Sequence, residues 1–503
     1  METQDIIFIF IVTIFILLSA KHILYWVWLW QLKEYRADRM RAHFQDIGFK
    51  NSLLALIGYS SLRQNKMPKF TIKSLLIFFC AFMAGVLLPI ILLGNLVSVW
   101  KLSFQVSGFY FLILTLPLVI FLLVIVLNFI SNIFKRRIIE RARKKIAKFP
   151  NLTVVGITGS YGKSATKEIL ASILEKKYKI LKTPANINTA IGIAQLILRD
   201  LTAEHQIFIA EIGAYKKGEI KEICDIVKPK IGILTAVNEQ HLALFGNIEN
   251  TIAAKFELIE LLPKDGLAIL NIGDKNIQKG LEARKISAQK KLYSAEAKAD
   301  ISAVDIDVLS GHPKFRTVDG AQIQDFKINL IGRHNVSNAL AAIAAAEYFG
   351  LGVKEISEIL RRINHFPHTF FSCAGPNGSI FINDTYNANP DGVTAGIDYL
   401  KDRPGRKIIV MSSLIELGDA ARKVHKRLGK EISKIAQKLI LTDDYYMDEI
   451  KAGARENSGS ALDIKIGNSA KIIAEYLKQN LRSTDTVLFI NRGAGKVLEL
   501  LKK

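Results

Sequence analysis

The segment Val154-Val155-Gly156-Ile157-Thr158-Gly159-Ser160-Tyr161-Gly162-Lys163-Ser164 carries the densest chemistry in the chain. A β-branched run stops at glycines, continues into Lys-Ser, and is followed by a helical pattern over 165–174. This is how a strand, a phosphate-cradling turn and a helix N-terminus are written. Glycines let backbone N–H groups close around phosphate oxygens, and the helix dipole adds partial positive charge. Lys163 has the reach to neutralise outer phosphates, and the Ser164 hydroxyl is a magnesium ligand in such loops. Thr158, Gly159, Ser160 and Gly162 are the accompanying nucleotide contacts. The pattern is T-G-S-x-G-K-S rather than G-x-x-x-x-G-K-[ST], because Ile157 holds the position of the first glycine.

Five polar clusters follow, at the ends of expected strands, where an open α/β sheet binds ligands. Glu211, in Ile209-Ala210-Glu211-Ile212-Gly213-Ala214, is a carboxylate of the kind magnesium shares with phosphates. His241 lies in Asn238-Glu239-Gln240-His241-Leu242, and Lys255 in Ala254-Lys255-Phe256-Glu257. His334 and Asn335 open a small-residue helix, and Asp384 and Tyr386 begin the turn that runs on to Asn389-Pro390. Each has an ordinary alternative: a solvated glutamate, a core histidine, a surface lysine, a helix cap for Asn335. Their order behind the phosphate loop gives them weight as a set.

With these residues in view, the chain resembles the Mur ligases, ATP-dependent amide-forming enzymes of bacterial cell-wall synthesis, from about residue 151 to the C-terminus. Thr158 to Ser164 fits the family's T-G-[ST]-x-G-K-[ST]. Asn186, Asn188 and Thr189 fall in a loop like its N-x-N-x-x-x-G substrate loop, and Glu211 falls in its E-x-G-A box. His241 falls in N-x-x-x-H-L, and Lys255 matches the lysine that the family carbamylates. Asn271 and Asp274 fall in a fragment like N-x-x-D, 332–338 fits G-x-H-N-x-x-N, and Asp384 and Tyr386 fall in D-x-Y-N-A-N-P. That last motif, with Glu416-Leu417-Gly418, favours the branch that adds D-alanyl-D-alanine.

The resemblance implies ATP and Mg2+ as cofactors, with metal held by Ser164, Glu211, His241 and Lys255 as its carbamate. Lys163, Lys255, His241 and Glu211 would be the catalytic set. Asn271, His334, Asn335, Asp384 and Tyr386 would hold nucleotide, and Asn186, Asn188 and Thr189 the substrate. It also implies a cell-wall peptide precursor and an amino acid or dipeptide as substrates. Three departures stand out. The uridine-nucleotide-binding N-terminal domain is replaced by apolar sequence. The Gly-Arg before the Asp384 strand is not evident in 366–371. Ser412-Ser413-Leu414 and Asn491-Arg492-Gly493 replace the usual Gly-Asp-Met and Lys-Gly-Ser. Two further readings stay open: a poly-γ-glutamate-type membrane ligase, and a non-catalytic ATP-binding membrane scaffold.

The elements that must position these residues are β-branched runs alternating with helical patterns, at 153–157, 207–211, 231–235 and 268–271, and again at 380–384, 407–411, 438–441 and 486–490. Such alternation predicts α/β architecture with mainly parallel sheets. The expectation is a P-loop central domain over 149–364 and a Rossmann-like C-terminal domain over 365–503. Residues 1–148 form a membrane region with spans at about 6–30, 75–100 and 109–130, each near the roughly 20 residues a crossing needs. The first span opens with Glu2 and Asp5 rather than lysines, unlike a signal peptide. Basic residues crowd 33–73 and 135–148, whereas Lys101 is alone after the second span. The positive-inside rule then places the N-terminus outside and the rest in the cytoplasm, at the inner membrane. The net charge of +22 is concentrated beside the spans, which favours membrane lipid as partner over nucleic acid. Cys80, Cys224 and Cys373 form neither a disulfide framework nor a metal motif.

Overall fold

The computed structural model describes residues 3–60, 66–91, 102–309, 311–320, 322–366, 369–386, 389–457, 459, 461–467 and 469–502. Arg63, Lys101, residues 92–100 of the expected second span, Pro367, His368, Asn387 and Ala388 lie outside the described residues. The chain divides into two compact units, Met1–Arg137 and Ile138–Lys503.

The first unit is helical: α1 (Thr3–Leu32), α2 (Ala37–Leu56, kinked at Gly48 with φ +76°), α3 (Ile72–Phe82) and α4, which begins at Leu102 and runs to Ile146. Thr71 and Ser74 form a reciprocal capping box that starts α3, and a single π-turn, Met83–Leu87, continues it. Among the described residues, three stretches are long and apolar enough to cross a membrane by length and composition: Ile9–Leu32, Ile72–Ile91 and Tyr110–Ile146. Their packed seam is narrow, with Ile23, Val27, Ile77, Ala81, Leu116 and Ile120 buried. Phe10, Leu17, Phe79, Ile91, Phe111 and Phe129 point outward and are exposed, the reverse of a water-soluble bundle. α4 is one 45-residue helix through Pro117. It outruns the expected third span because lysine and arginine are good helix formers and nothing after 130 breaks the helix.

The second unit holds both sheets. Its first sheet is built from β1 (Thr153–Thr158), β2 (Ile180–Lys182), β3 (Ile207–Glu211), β4 (Ile231–Leu234), β5 (Leu267–Asn271), β6 (Gln289–Ser294), β7 (Ile301–Asp307), β8 (Lys314–Asp319) and β9 (Gln322–Lys327). The order is β2-β3-β1-β4-β5-β6-β7-β8-β9, parallel as far as β7 and antiparallel from β7 to β9. Strands β2 and β6 add to the four expected strands, as does the meander β7–β9. Its Lys314, Arg316, Gln322 and Gln324 give no apolar run for a sequence reading to detect. Alternate residues of the central strands point to opposite faces. Val155, Ile157 and Ile209 pack under α5 (Lys163–Leu174), while Val154, Phe208 and Ala210 pack under α6 (Ala190–Asp200) and α7 (Ile248–Glu260). α8 (His334–Tyr348) lies beside α5, and its buried Ala339, Ala342 and Ala346 allow the close approach. β1 sits between β3 and β4, so the chain leaves it at the point where strand order reverses. That is where an open sheet binds its ligand.

The second sheet has β10 (Phe371–Ala374), β11 (Ile380–Asp384), β12 (Lys407–Met411), β13 (Lys438–Leu441), β14 (Asp463–Ile466) and β15 (Thr486–Ile490), in the order β10-β11-β15-β12-β13-β14. Only β10 is antiparallel to its neighbour. α9 (Pro390–Lys401), α10 (Ala421–Ser433) and α11 (Asn491–Leu501) cover it.

Candidate active site

The phosphate loop is held by backbone geometry that other residues cannot adopt. Gly159 has φ +151°, and a Cβ there would lie 2.1 Å from Thr235 Oγ1; Gly162 has φ +84°, and its Cβ would lie 2.4 Å from Asn338 Oδ1. Both glycines are therefore required for space as well as for conformation. The segment after β4 closes over the loop: Ser160 N donates to Ala236 O (2.7 Å), Asn238 N donates to Ser160 Oγ (3.2 Å), and Thr235 Oγ1 donates to Thr158 O (3.2 Å). Thr158 Oγ1 donates to Ile212 O (2.9 Å), which ties β1 to the end of β3. Lys163, the first residue of α5, turns its Nζ onto Gly159 O. Burial holds its pKa below the ordinary lysine value, and Glu211 opposes that shift.

Ser164 Oγ donates to Glu211 Oε2 at 2.9 Å, so the hydroxyl opening α5 and the carboxylate ending β3 meet. Lys167, one turn further along α5, donates to the same oxygen at 3.1 Å. Lys255, on α7, is only 3% exposed. Burial, with repulsion from Lys163 next, lowers its pKa to about 7. His241 has φ +60°, and its Nδ1 lies 2.7 Å from Glu416 Oε2 of the second sheet. Burial lowers its pKa, Glu416 opposes this, and Lys255 and Lys163 add to the lowering. A carboxylate partner on Nδ1 places the hydrogen there and leaves the Nε2 lone pair for a ligand. Lys163, Glu211, His241 and Lys255 thus form one group, linked by mutual charge. Among the described residues no three His, Cys, Asp or Glu side chains form a metal cage by themselves. The oxygens of Glu211 and Ser164 instead suit a Mg2+ that takes its remaining ligands from phosphates and water.

The remaining candidates divide between the cleft and the scaffold. Tyr386 OH donates to Asn186 Oδ1, joining the second sheet to the substrate loop, and Asn186 itself has φ +67°. Asn188 packs against Gly213, where a Cβ would come within 2.9 Å of it. Thr189 caps α6 by accepting from Gly192 N. Asn271 Nδ2 donates to Thr235 O (2.9 Å), and Asp274 caps the helix Lys275–Glu282 while accepting from Val237 N (2.8 Å). Asn335 does not cap α8: its Nδ2 donates to Ile331 O (2.8 Å) and its Oδ1 accepts from Asn338 (3.0 Å). His334 is half-buried between Tyr161 (5.6 Å) and Phe370 (5.3 Å), its buried Nδ1 has no hydrogen-bond partner, and desolvation pushes its pKa down to about 4. Asp384, 1% exposed at the end of β11, bears electrostatically on Tyr161 of the phosphate loop.

Three participants escape a reading by motif. Lys167 occupies an apolar-periodic position of α5, three before Leu170 and seven before Leu174; a lysine on a core-facing stripe is the signal that would have marked it. Asp391 accepts from Asn238 Nδ2 at 2.6 Å across the two sheets. Its pKa is raised to about 6 by burial, and Asp274 and Glu239 add to the rise. Tyr215 stacks edge-on against His241 at 4.6 Å.

A glycine-rich phosphate loop at a sheet's switch point, closed by a second α/β lobe, defines a two-lobed ATP-using enzyme. Residues 157–346 match the Mur ligase middle domain, and 371–493 match the Mur ligase glutamate ligase domain. The chain belongs to the Mur ligase family, and it is an ATP-dependent ligase with ATP and Mg2+ as cofactors. It is 29% identical over 351 residues to the UDP-N-acetylmuramoyl-tripeptide–D-alanyl-D-alanine ligase of Bacillus subtilis, covering 69% of this chain and 75% of that one. The Escherichia coli enzyme of the same name is 31% identical over 280 residues, covering 55% and 61% respectively. The crystal structure of MurF ligase from Thermotoga maritima in complex with ADP superposes with TM-score 0.66 at 26% identity, covering 73% of this chain and 83% of that one.

Proposed function

We propose that the protein is a membrane-anchored ligase that adds D-alanyl-D-alanine, or a similar amine, to the peptide carboxylate of a peptidoglycan precursor. The observation that carries this is the single cluster formed by Lys163, Ser164, Glu211, Lys255 and, through His241, Glu416 of the second lobe. ATP supplies the phosphoryl group that turns the substrate carboxylate into an acyl phosphate, and the amine then displaces phosphate to leave an amide. Negative charge builds at both steps, so fixed cations and dipoles are the effective catalysts. Lys163 and the N–H groups of the glycine loop neutralise the transferring phosphoryl group. Glu211 and Ser164 hold Mg2+, and His241 offers Nε2. A Lys255 amine titrating near 7 is neutral often enough at physiological pH to add to carbon dioxide, forming an N–C bond and releasing one proton to solvent. As a carbamate it becomes an anion beside the metal, where an ammonium would oppose metal binding. Asn186 and Asn188 meet the acceptor peptide. The Asn186–Tyr386 and Asn238–Asp391 contacts let the second lobe close over both substrates.

The three apolar helices and the basic flanks of α3 and α4 support an inner-membrane anchor with the ligase on the cytoplasmic side. With those helices in place of a uridine-nucleotide domain, we place the acceptor at the membrane surface. Confinement there raises effective concentration without new contacts. The test supplies full-length protein in lipid vesicles with ATP, D-alanyl-D-alanine and the tripeptide acceptor in soluble and in lipid-linked form. ADP release that requires both amine and acceptor, faster with the lipid-linked acceptor, supports the reading. Equal rates on the two acceptors reduce the helices to a tether.

A further inference from the structure

Lys167 is 1% exposed, and a buried ammonium is strongly destabilising unless it is well paired. Here it lies in a ladder of alternating charge. Lys182 Nζ reaches Glu168 Oε2 (2.8 Å), Lys167 Nζ reaches Glu168 Oε1 (3.3 Å) and Glu211 Oε2 (3.1 Å), and Ser164 Oγ reaches Glu211 Oε2 (2.9 Å). A lysine kept only to balance charge could meet either oxygen of Glu211. This one takes the oxygen that Ser164 also takes, and neither donor takes Oε1. Ser164 and Lys167 are three residues apart on α5, so both donors lie on one face of one rigid helix. Glu211 is fixed from behind as well, its backbone N donating to Thr183 Oγ1 at 2.9 Å.

We propose that Lys167 is a positioning residue for the metal. By gripping Oε2 together with Ser164, it fixes the plane of the Glu211 carboxylate and turns Oε1 toward the divalent cation. The proposal rests on the reading of Glu211 as a metal ligand. Partners that orient a ligating carboxylate in this way typically contribute about 10–100-fold to metal affinity.

The test is a Mn2+ titration, followed by electron paramagnetic resonance, of the full-length protein in lipid with ADP bound. Parent, Lys167→Met, Lys167→Gln and Glu211→Gln are compared. Lys167→Met is expected to weaken Mn2+ binding about tenfold or more while the affinity for metal-free ADP stays within about twofold. Lys167→Gln, which keeps a donor and fills similar space, is expected to lose less and carries the same reading if Lys167→Met fails to fold. Mn2+ affinity unchanged in a folded Lys167 variant would make the lysine a charge-balancing core residue, and tighter binding would make it a competitor of the metal; either overturns the proposal. If Glu211→Gln weakens Mn2+ binding and the Lys167 variants do not, only the positioning role fails. If Glu211→Gln itself changes nothing, the metal-ligand assignment fails with it.

Discussion

The two lobes of the ligase unit have kept different things. In the first, the loop 158–164 is enclosed by its neighbours: two glycines with no room for a Cβ, a lysine, and a serine bound to Glu211. In the second, the segments after β12 and β15 depart from the family pattern, reading Ser412-Ser413-Leu414 and, at the start of α11, Asn491-Arg492-Gly493. Yet that lobe retains the groups that touch the first: Glu416 on His241, Asp391 on Asn238 and Tyr386 on Asn186. Phosphate chemistry tolerates little variation in backbone geometry. The second lobe can change wherever it does not reach back to the first.

If this contrast holds, substitutions should lose effect on moving from the loop to the lobe contacts. Lys163→Ala should be the most damaging, lowering turnover roughly 10²–10³-fold with melting temperature nearly unchanged, as for removal of a main charge-stabilising group. Steady-state kinetics alongside a thermal melt checks both halves. Lys255→Ala should also lose most activity but regain part of it with added short-chain carboxylates, which a surface lysine would not do. Its proton linkage has a definite sign. The folded state gives up the proton near pH 7 and the unfolded state near the ordinary lysine value. Burial therefore penalises stability fully below pH 7, and the penalty fades as pH rises above it. Lys255→Met should accordingly raise the melting temperature more at pH 6 than at pH 9.

Glu416→Gln tests the link between lobes. It removes the partner that raises the His241 pKa and should lower kcat/KM about tenfold, less than either lysine change. Asp391→Asn should have the smallest effect. The Asp391 pKa is raised to about 6, so its ionised form is a burden above that pH and none below the unfolded carboxylate value. The variant should melt a few degrees higher than the parent at pH 7.5, and the gap should close near pH 4.

The sequence made the loop legible because its chemistry is local: seven adjacent positions, two of them glycine by necessity, written in one stretch. Glu211, His241 and Lys255 were legible as motifs, and the resemblance grouped them, but the partner that fixes His241 was not legible. Glu416 meets His241 across 175 residues, and no periodicity records such a pairing. Lys167 was hidden for a different reason. A lysine in a helix reads as solvated unless its place on the apolar stripe of α5 is noticed, and the stripe does not say that it meets Glu211. The alternating runs marked eight of the parallel strands, whereas the meander β7–β9 buries only scattered residues, among them Ile301, Phe315 and Phe326, between charged and polar ones. Thr189 and Asp274 show the converse: polar residues beside a site whose side chains are occupied in helix caps.

The central claim is that the cluster joining the two lobes forms an amide at the expense of ATP. The most direct measurement is the stoichiometry of ADP released to amide product formed by the full-length protein in lipid, with D-alanyl-D-alanine and the tripeptide acceptor. The account predicts one ADP per amide, with both products lost together in Lys163→Ala. ADP release that proceeds without the amine, or that yields no amide with either form of the acceptor, would contradict it.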